Sequence, residues 1–194
     1  MAFTSTETTD ESELNTGWTG HWMNFDWVAE ETATDTPETT QTTETTTAPY
    51  SDEAIADLLY MIEEEKLAGD VYEAFYKAYG LTIFDNIAQS EDSHFSALIQ
   101  QAETLGIDTD QFVFEPAGTF VNEELQQLYD TLIATGNESV TAALEVGVAI
   151  EEKDIVDIAA TIEDVAGTQL ADVYQNLLDG SANHLEAFQD VLMA

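Results

Sequence analysis

Apolar side chains recur at helical spacing through most of the chain after residue 50, whereas strand-like alternation is almost absent. The first apolar stripe begins beside Ser51, a residue type that caps helices, and continues to about Tyr79, where Gly80 ends it. Further stripes predict a helix from about Ile83 to Leu105, a short helix from Asn122 to Thr135, and two long helices over residues 139–165 and 168–193, the last bent near Gly180.

This order of elements predicts an all-α fold. Four long helices, with one long connection between the second and the third, are typical of a four-helix bundle. The connection itself, residues 107–121, is expected to be irregular, and the short helix follows it. A chain segment of this length can enclose one hydrophobic core.

Residues 1–50 have a different composition and predict an extended Thr-rich tail in front of a helical domain formed by residues 51–194. Sixteen of these fifty residues are threonine, and such a segment buries too little apolar surface to fold alone. All three tryptophans lie in an aromatic island at residues 17–27. We expect this island to dock on its own domain, on a neighbouring subunit or on another protein, which favours a homo-oligomer.

The charge of the chain excludes several classes of partner. Forty acidic residues face three lysines and no arginine, so the net charge is −37. Such a protein repels nucleic acid and anionic membrane surfaces, and no apolar run is long enough to span a bilayer. Because salt screens the self-repulsion of so much charge, the composition predicts a halophilic protein.

The compartment is only weakly indicated. The chain has no cysteine, and no signal peptide is visible. The acidic Thr-rich tail and the glycosylation sequon at Asn137 favour a secreted or cell-surface location slightly over the cytoplasm.

Each long helix carries a residue of metal-ligand type on its apolar stripe. These residues are Glu65 on the first helix, Glu91 and His94 on the second, Glu151 on the third, with Glu152 bordering the same stripe, and His184 on the fourth. An ionised carboxylate among apolar side chains is costly unless something compensates it, and three lysines cannot compensate so many. A divalent cation can, and iron or manganese accepts this mixture of carboxylate and imidazole.

The motifs resemble those of the ferritin-like superfamily of di-iron carboxylate proteins, in particular of its rubrerythrin-type branch. Glu65-x-x-Ala68-x-x-x-Tyr72 is similar to the first-helix motif of that branch, and Glu91-x-x-His94 to the second-helix motif. The sequences of residues 63–68, 150–155 and 180–185 are more similar still to those of a poorly characterised prokaryotic ferritin-like family of unknown function. The resemblance covers about residues 52–194.

The resemblance implies a non-haem site with two iron ions, or manganese, that reacts with oxygen or peroxide. The resemblance assigns Glu91 and Glu151 as ligands that bridge the metals. It assigns Glu65, His94 and His184 as terminal ligands. Tyr72 would donate a hydrogen bond to the ligands, although a core tyrosine with a bonded hydroxyl is an equal interpretation.

One position departs from the family pattern. The usual scheme has a second Glu-x-x-His motif, but the fourth helix offers Ser181-x-x-His184, so one carboxylate is missing. Either Glu152 or Asp154 replaces it, or the second ion is weakly held or absent. The alternative function is a structural, assembly or surface protein that keeps the ferritin-like scaffold and self-associates through its tail.

Overall fold

The computed structural model describes residues 50–194, and over these residues the protein is all-α, as the apolar stripes predict, with no strand. Six α helices and one 3-10 turn follow one another along the chain. They are α1 (Asp52–Tyr79), α2 (Thr82–Thr104), α3 (Asp110–Val113), α4 (Glu123–Gly136), α5 (Val140–Thr161), the 3-10 turn Ile162–Val165, and α6 (Gln169–Leu192).

Side-chain caps explain where the helices begin. The Ser51 side chain accepts a hydrogen bond from the backbone of Ala54 at the start of α1, and Ser139 and Thr168 cap α5 and α6 in the same way. Gly80 ends α1 in the left-handed conformation, with φ of 69°, which glycine adopts without steric cost.

Two details differ from the expectation. The connection expected to be irregular contains the one-turn helix α3, in which Phe112 turns into the core. The third long helix was expected to continue to Val165, but its α-helical part ends at Thr161 and the last residues tighten into the 3-10 turn. Tight turns of this kind are common at helix ends.

The four long helices pack in pairs. α1 packs along α2, and α5 packs along α6, while contacts of α1 with α5 and of α2 with α6 join the two pairs. The short helix α4 lies against α1 and α5.

The buried apolar side chains form two separate clusters. One cluster includes Val71, Phe75, Phe84 and Phe188, and the other includes Leu58, Ile62, Leu98, Ile158 and Leu177. Each long helix passes from one cluster to the other, and each has a buried polar residue at the crossing point. The core therefore has a polar layer between two apolar layers.

The tail and its aromatic island at residues 17–27 lie outside the described residues, so the division near residue 50 and the docking of the island stay predictions. Among the helices of residues 50–194, none combines the length and the apolar character that a membrane span requires.

Candidate metal centre

The polar layer brings together five of the six residues that the sequence singles out. α1 supplies Glu65, α2 supplies Glu91 and His94 from one face, α5 supplies Glu151 and α6 supplies His184. Their ligand atoms form two groups, Glu65 with Glu91 and His94, and Glu91 with Glu151 and His184, and within each group the atoms lie within 4.8 Å of one another. Glu91 belongs to both groups.

The carboxylate of Glu91 lies between the two histidines. Its Oε2 is 2.8 Å from Nδ1 of His94, and its Oε1 is 2.8 Å from Nδ1 of His184. Each histidine nitrogen also faces a second carboxylate, at 3.2 Å from Glu65 for His94 and at 3.5 Å from Glu151 for His184. The two halves of the site are therefore alike, and both use Nδ1.

Several of these atoms lack a hydrogen-bond partner although they are buried. They are Oε1 of Glu65, Oε1 of Glu91 and Nδ1 of His184. Oε1 of Glu91 and Nδ1 of His184 are close together, but their orientation does not satisfy a hydrogen bond. Buried polar atoms are normally satisfied, so atoms that converge without bonding one another fit a cation between them.

The electrostatics of the site reflect crowded negative charge. Burial and the nearby carboxylates, Asp154 first, raise the pKa of Glu65 well above its usual value. Burial raises the pKa of Glu151 to about 7, against the lowering effect of His184. In the absence of a cation, these groups retain protons that a solvated carboxylate would lose.

Glu91 and His184, in contrast, favour their charged forms because they face each other. Burial alone would raise the pKa of Glu91, but the contacts with His184 and His94 lower it to about 2. Burial would lower the pKa of His184, but Glu151 and Glu91 outweigh burial and raise it to about 10. A proton on His184 thus supplies positive charge at the place where a metal would supply it.

Hydrogen bonds from outside the cluster orient two of the candidate ligands. The fully buried Tyr72 hydroxyl donates to Oε1 of Glu151 at 2.6 Å, as the resemblance implies. The Ser90 hydroxyl lies 3.0 Å from Nε2 of His184, the ring nitrogen that faces away from the carboxylates. Such partners fix the ring orientation and tautomer of a ligating histidine.

The histidines lie where α2 approaches α6. Their rings stack at 5.7 Å between centroids, and each side chain is 12% exposed, whereas the carboxylates of Glu65, Glu91 and Glu151 are fully buried. Gly180 on α6 lies against His94, and a Cβ atom at Gly180 would come within 2.7 Å of the imidazole ring. The site thus has its one partly exposed edge at the histidines.

Glu152 is not part of the cluster. It follows Glu151 by one residue, which on a helix turns its side chain about 100° away, and the structure leaves it exposed on α5. The other residue that the sequence offered as a substitute, Asp154, is buried and accepts a hydrogen bond from the Ser181 hydroxyl.

Two further buried acids lie beside Glu65 and have other partners. The carboxylate of Glu63 accepts hydrogen bonds from the backbone of Val121 and Asn122, before α4. Glu64 forms an ion pair with Lys153. Sequence reasoning missed both, together with Ser90 and Gly180, because their partners come from distant parts of the chain.

Comparison with known proteins gives the family. Residues 54–193 match the family DUF2202, which is described as an uncharacterized protein domain. This chain belongs to the DUF2202 family. The matched range contains every residue of the candidate centre, so the site lies within the DUF2202 domain and outside the Thr-rich tail.

The chain is also similar to a protein of Methanocaldococcus jannaschii. The chain is 40% identical over 144 residues to the uncharacterized protein MJ0754 of Methanocaldococcus jannaschii, covering 74% of this chain and 77% of the relative. It is also similar to the crystal structure of hypothetical protein MJ0754 from Methanococcus jannaschii DSM 2661, with a TM-score of 0.70 and 36% identity. That match covers 82% of this chain and 85% of the other.

Proposed function

We propose that the four long helices form a ferritin-like four-helix bundle that binds two metal ions, iron or manganese, and uses them in a reaction with oxygen or peroxide. The observation that carries this proposal is the position of Glu91, whose two oxygens each lie 2.8 Å from the Nδ1 atom of a different histidine. A carboxylate shared in this way is suited to bridge two cations.

The helix arrangement supports the bundle. Four long helices that pack in two pairs, with a long connection after the second, match the architecture in which inward-facing side chains build a metal site at mid-length. The polar layer of this protein lies at that position, between its two apolar clusters.

The donor set fits the proposed metals. Glu65 and His94 would hold one ion, Glu151 and His184 the other, and Glu91 would bridge them. This assignment differs from the resemblance, which has Glu151 as a second bridge, because in the structure Glu91 alone belongs to both groups of ligand atoms among the described residues.

A purely structural role for these residues is less favourable. A buried carboxylate needs a compensating charge, and each lysine is paired elsewhere: Lys66 with Asp70, Lys77 with Glu73, and Lys153 with Glu64 and Asp157. Without a cation, the centre is left with unsatisfied buried oxygens.

The residues around the site would perform distinct tasks. When bound, iron or manganese would supply the exchange of electrons with oxygen or peroxide. The chain would hold the ligands in place through Tyr72 and Ser90, exclude bulk water from the buried carboxylates, and present the two histidines at the partly exposed edge of the site.

Anaerobic titration of the chelator-treated protein with ferrous iron tests this function. We expect about two ions per chain, followed by oxygen consumption and a new near-ultraviolet absorbance when air is admitted. Glu91→Gln removes the shared charge and should abolish stoichiometric binding, whereas Glu152→Gln makes the same change on the exposed face of α5 and should bind as the wild type. Absence of bound iron in the wild type would contradict the proposal.

A further inference from the structure

We propose that Asp154 is a further metal ligand and that the Ser181 hydroxyl holds it in position, so that α5 supplies the carboxylate that α6 lacks. This inference rests on the proposed two-ion site and adds to it a residue that belongs to neither group of ligand atoms described above.

The comparison of α2 with α6 shows where a carboxylate is missing. α2 carries Glu91 three residues before His94, and α6 carries Ser181 three residues before His184. Ser181 is fully buried in the polar layer, so it occupies on α6 the place that Glu91 occupies on α2. A serine side chain is too short to reach the metals itself.

Ser181 instead contacts Asp154. Its hydroxyl forms a close hydrogen bond to Oδ2 of Asp154 and lies 3.0 Å from the backbone carbonyl of Leu177. A hydroxyl has one proton, and the carboxylate is both the nearer and the stronger acceptor. The bond therefore fixes one oxygen of Asp154 and leaves the other available.

The position of Asp154 on α5 directs it into the same layer as Glu151. Residues three apart share a helix face, so Asp154 and Glu151 project together, while Glu152 points to solvent. Asp154 is only 6% exposed, and its Oδ1 is buried with no hydrogen-bond partner. A buried carboxylate oxygen without a partner is a candidate ligand atom.

The charges that act on Asp154 come from Glu64 and from two of the proposed ligands, Glu151 and Glu91. After burial, the charge of Asp154 is the largest influence that raises the pKa of Glu65. The pKa of Asp154 is raised well above its usual value by burial and by Glu64, Glu151 and Glu91, against the Ser181 hydrogen bond. Burial of Asp154 and its place three residues after Glu151 direct it to the core side of α5 rather than to solvent.

Charge balance also favours four carboxylates. Glu65, Glu91 and Glu151 supply three negative charges, whereas two divalent cations carry four positive charges. With Asp154 the buried site becomes neutral, and the donor set becomes four carboxylates and two histidines, the composition of the usual scheme. A neutral ligand set avoids a net charge in the low-dielectric interior.

Titration with Mn²⁺, followed by electron paramagnetic resonance, tests this inference on the full chain. The wild type should bind two ions. Asp154→Asn keeps the size and the Ser181 contact but removes the charge, and it should weaken at least one ion by about 10–100-fold. Glu152→Gln removes one charge two residues away on the same helix and should leave both affinities unchanged.

Ser181→Ala distinguishes positioning from ligation. It should weaken binding less than Asp154→Asn does, and it should have no further effect in the Asp154→Asn background, because both changes act through one carboxylate. Thermal unfolding of each metal-free variant shows whether it is folded, and Ser181→Ala provides the test if Asp154→Asn does not fold.

The outcomes separate the two proposals. If the wild type binds two ions and Asp154→Asn binds them equally tightly, Asp154 is not a ligand while the proposed function stands. If the wild type binds no metal, both proposals are overturned. Loss of affinity in Glu152→Gln equal to that in Asp154→Asn would show a general charge effect and would also overturn the inference.

Discussion

The buried acids of this protein differ in what compensates each of them. Backbone N–H groups bind Glu63, and Lys153 pairs with Oε1 of Glu64, so the chain itself supplies a partner to each carboxylate, although Oε2 of Glu64 has none. Glu65, the third acid of the same run, faces Nδ1 of His94 and has a buried Oε1 with no hydrogen-bond partner. Neighbouring positions in one acidic run can therefore serve different purposes, and the partner decides which.

Ser90 is expected to tune the metal affinity through His184. Its hydroxyl lies beside Nε2 and would accept the Nε2–H of a metal-bound His184, whose Nδ1 lone pair then points toward the carboxylates. Ser90→Ala should weaken metal binding by about tenfold, as measured by calorimetric titration. Ser93→Ala is the matched control, since Ser93 is exposed and bonds only the backbone of its own helix. Equal affinities for the two variants would exclude this role.

Residue spacing in the sequence singled out five residues that the structure brings together in the polar layer. Glu65, Glu91, His94, Glu151 and His184 each interrupt an apolar stripe, and such interruptions are visible in the sequence. Glu152 lies next to Glu151 at the border of the same stripe, and spacing alone does not tell which of two adjacent residues faces the core. The packing of α5 decides this and leaves Glu152 exposed. The spacing of Asp154 from Glu151 was visible too, but its bond to Ser181 depends on how α6 packs.

At the scale of helices, the site depends on a close approach of α2 and α6. Small residues on α6 allow this approach: Gly180 lies directly against the His94 ring, and Ser181 follows it in the buried layer. The helices thus position the ligands, and no loop is required for the cluster.

Gly180→Ala should separate helix stability from metal binding. Alanine favours a helix over glycine by roughly 0.5–1 kcal/mol, but its Cβ would meet the His94 ring at 2.7 Å. We expect the metal-free variant to unfold near the wild-type temperature. The metal affinity of the site beside Glu65 and His94 should fall by about tenfold or more. Exposed Ala182 offers the control Ala182→Ser on the same helix. Wild-type affinity in Gly180→Ala would contradict the described contact.

Helix ends were predictable where a cap residue marks them. Ser51, Ser139, Thr168 and Gly80 are visible in the sequence and act as caps in the structure. The one-turn helix α3 is too short to show a period, and the 3-10 turn after Thr161 continues the apolar pattern of α5. Both were missed because tertiary packing, not local pattern, determines them.

At the scale of the molecule, the pH dependence of stability is expected to report the buried cluster. Glu151 has a folded-state pKa of about 7, above its ordinary value, so its stabilising contribution is complete below about pH 4.5 and is lost as the pH rises through 7. The contribution of His184 is complete below about pH 6.5 and is lost as the pH rises through about 10. Glu91, with its pKa lowered to about 2, contributes throughout this range.

The metal-free protein should therefore be less stable at pH 8 than at pH 5. The melting temperature should fall by several degrees, at roughly 2–4 °C per kcal/mol for a domain of this size. The melting temperature should be measured in 1 M KCl, which screens the surface charges but not those of the buried cluster. Glu151→Gln should flatten the decline, and adding Mn²⁺ should reverse it, because metal replaces the lost protons. An equal decline in Glu151→Gln would contradict the assignment.

The net charge of −37 leads to a separate prediction about salt. Repulsion among exposed carboxylates acts over about 10 Å at 0.1 M salt and over about 3 Å at 1 M. We expect the melting temperature of the full chain at pH 7 to rise by several degrees between 0.1 M and 2 M KCl. A melting temperature independent of KCl would exclude the halophilic interpretation.

In the proposed function, two metal ions lie on either side of Glu91. Anomalous diffraction from crystals grown with Mn²⁺ tests this arrangement, because the signal locates each ion. Two peaks are expected in the polar layer, one beside Glu65 and His94 and one beside Glu151 and His184. Peaks at surface carboxylates only, with none beside Glu91, would contradict it.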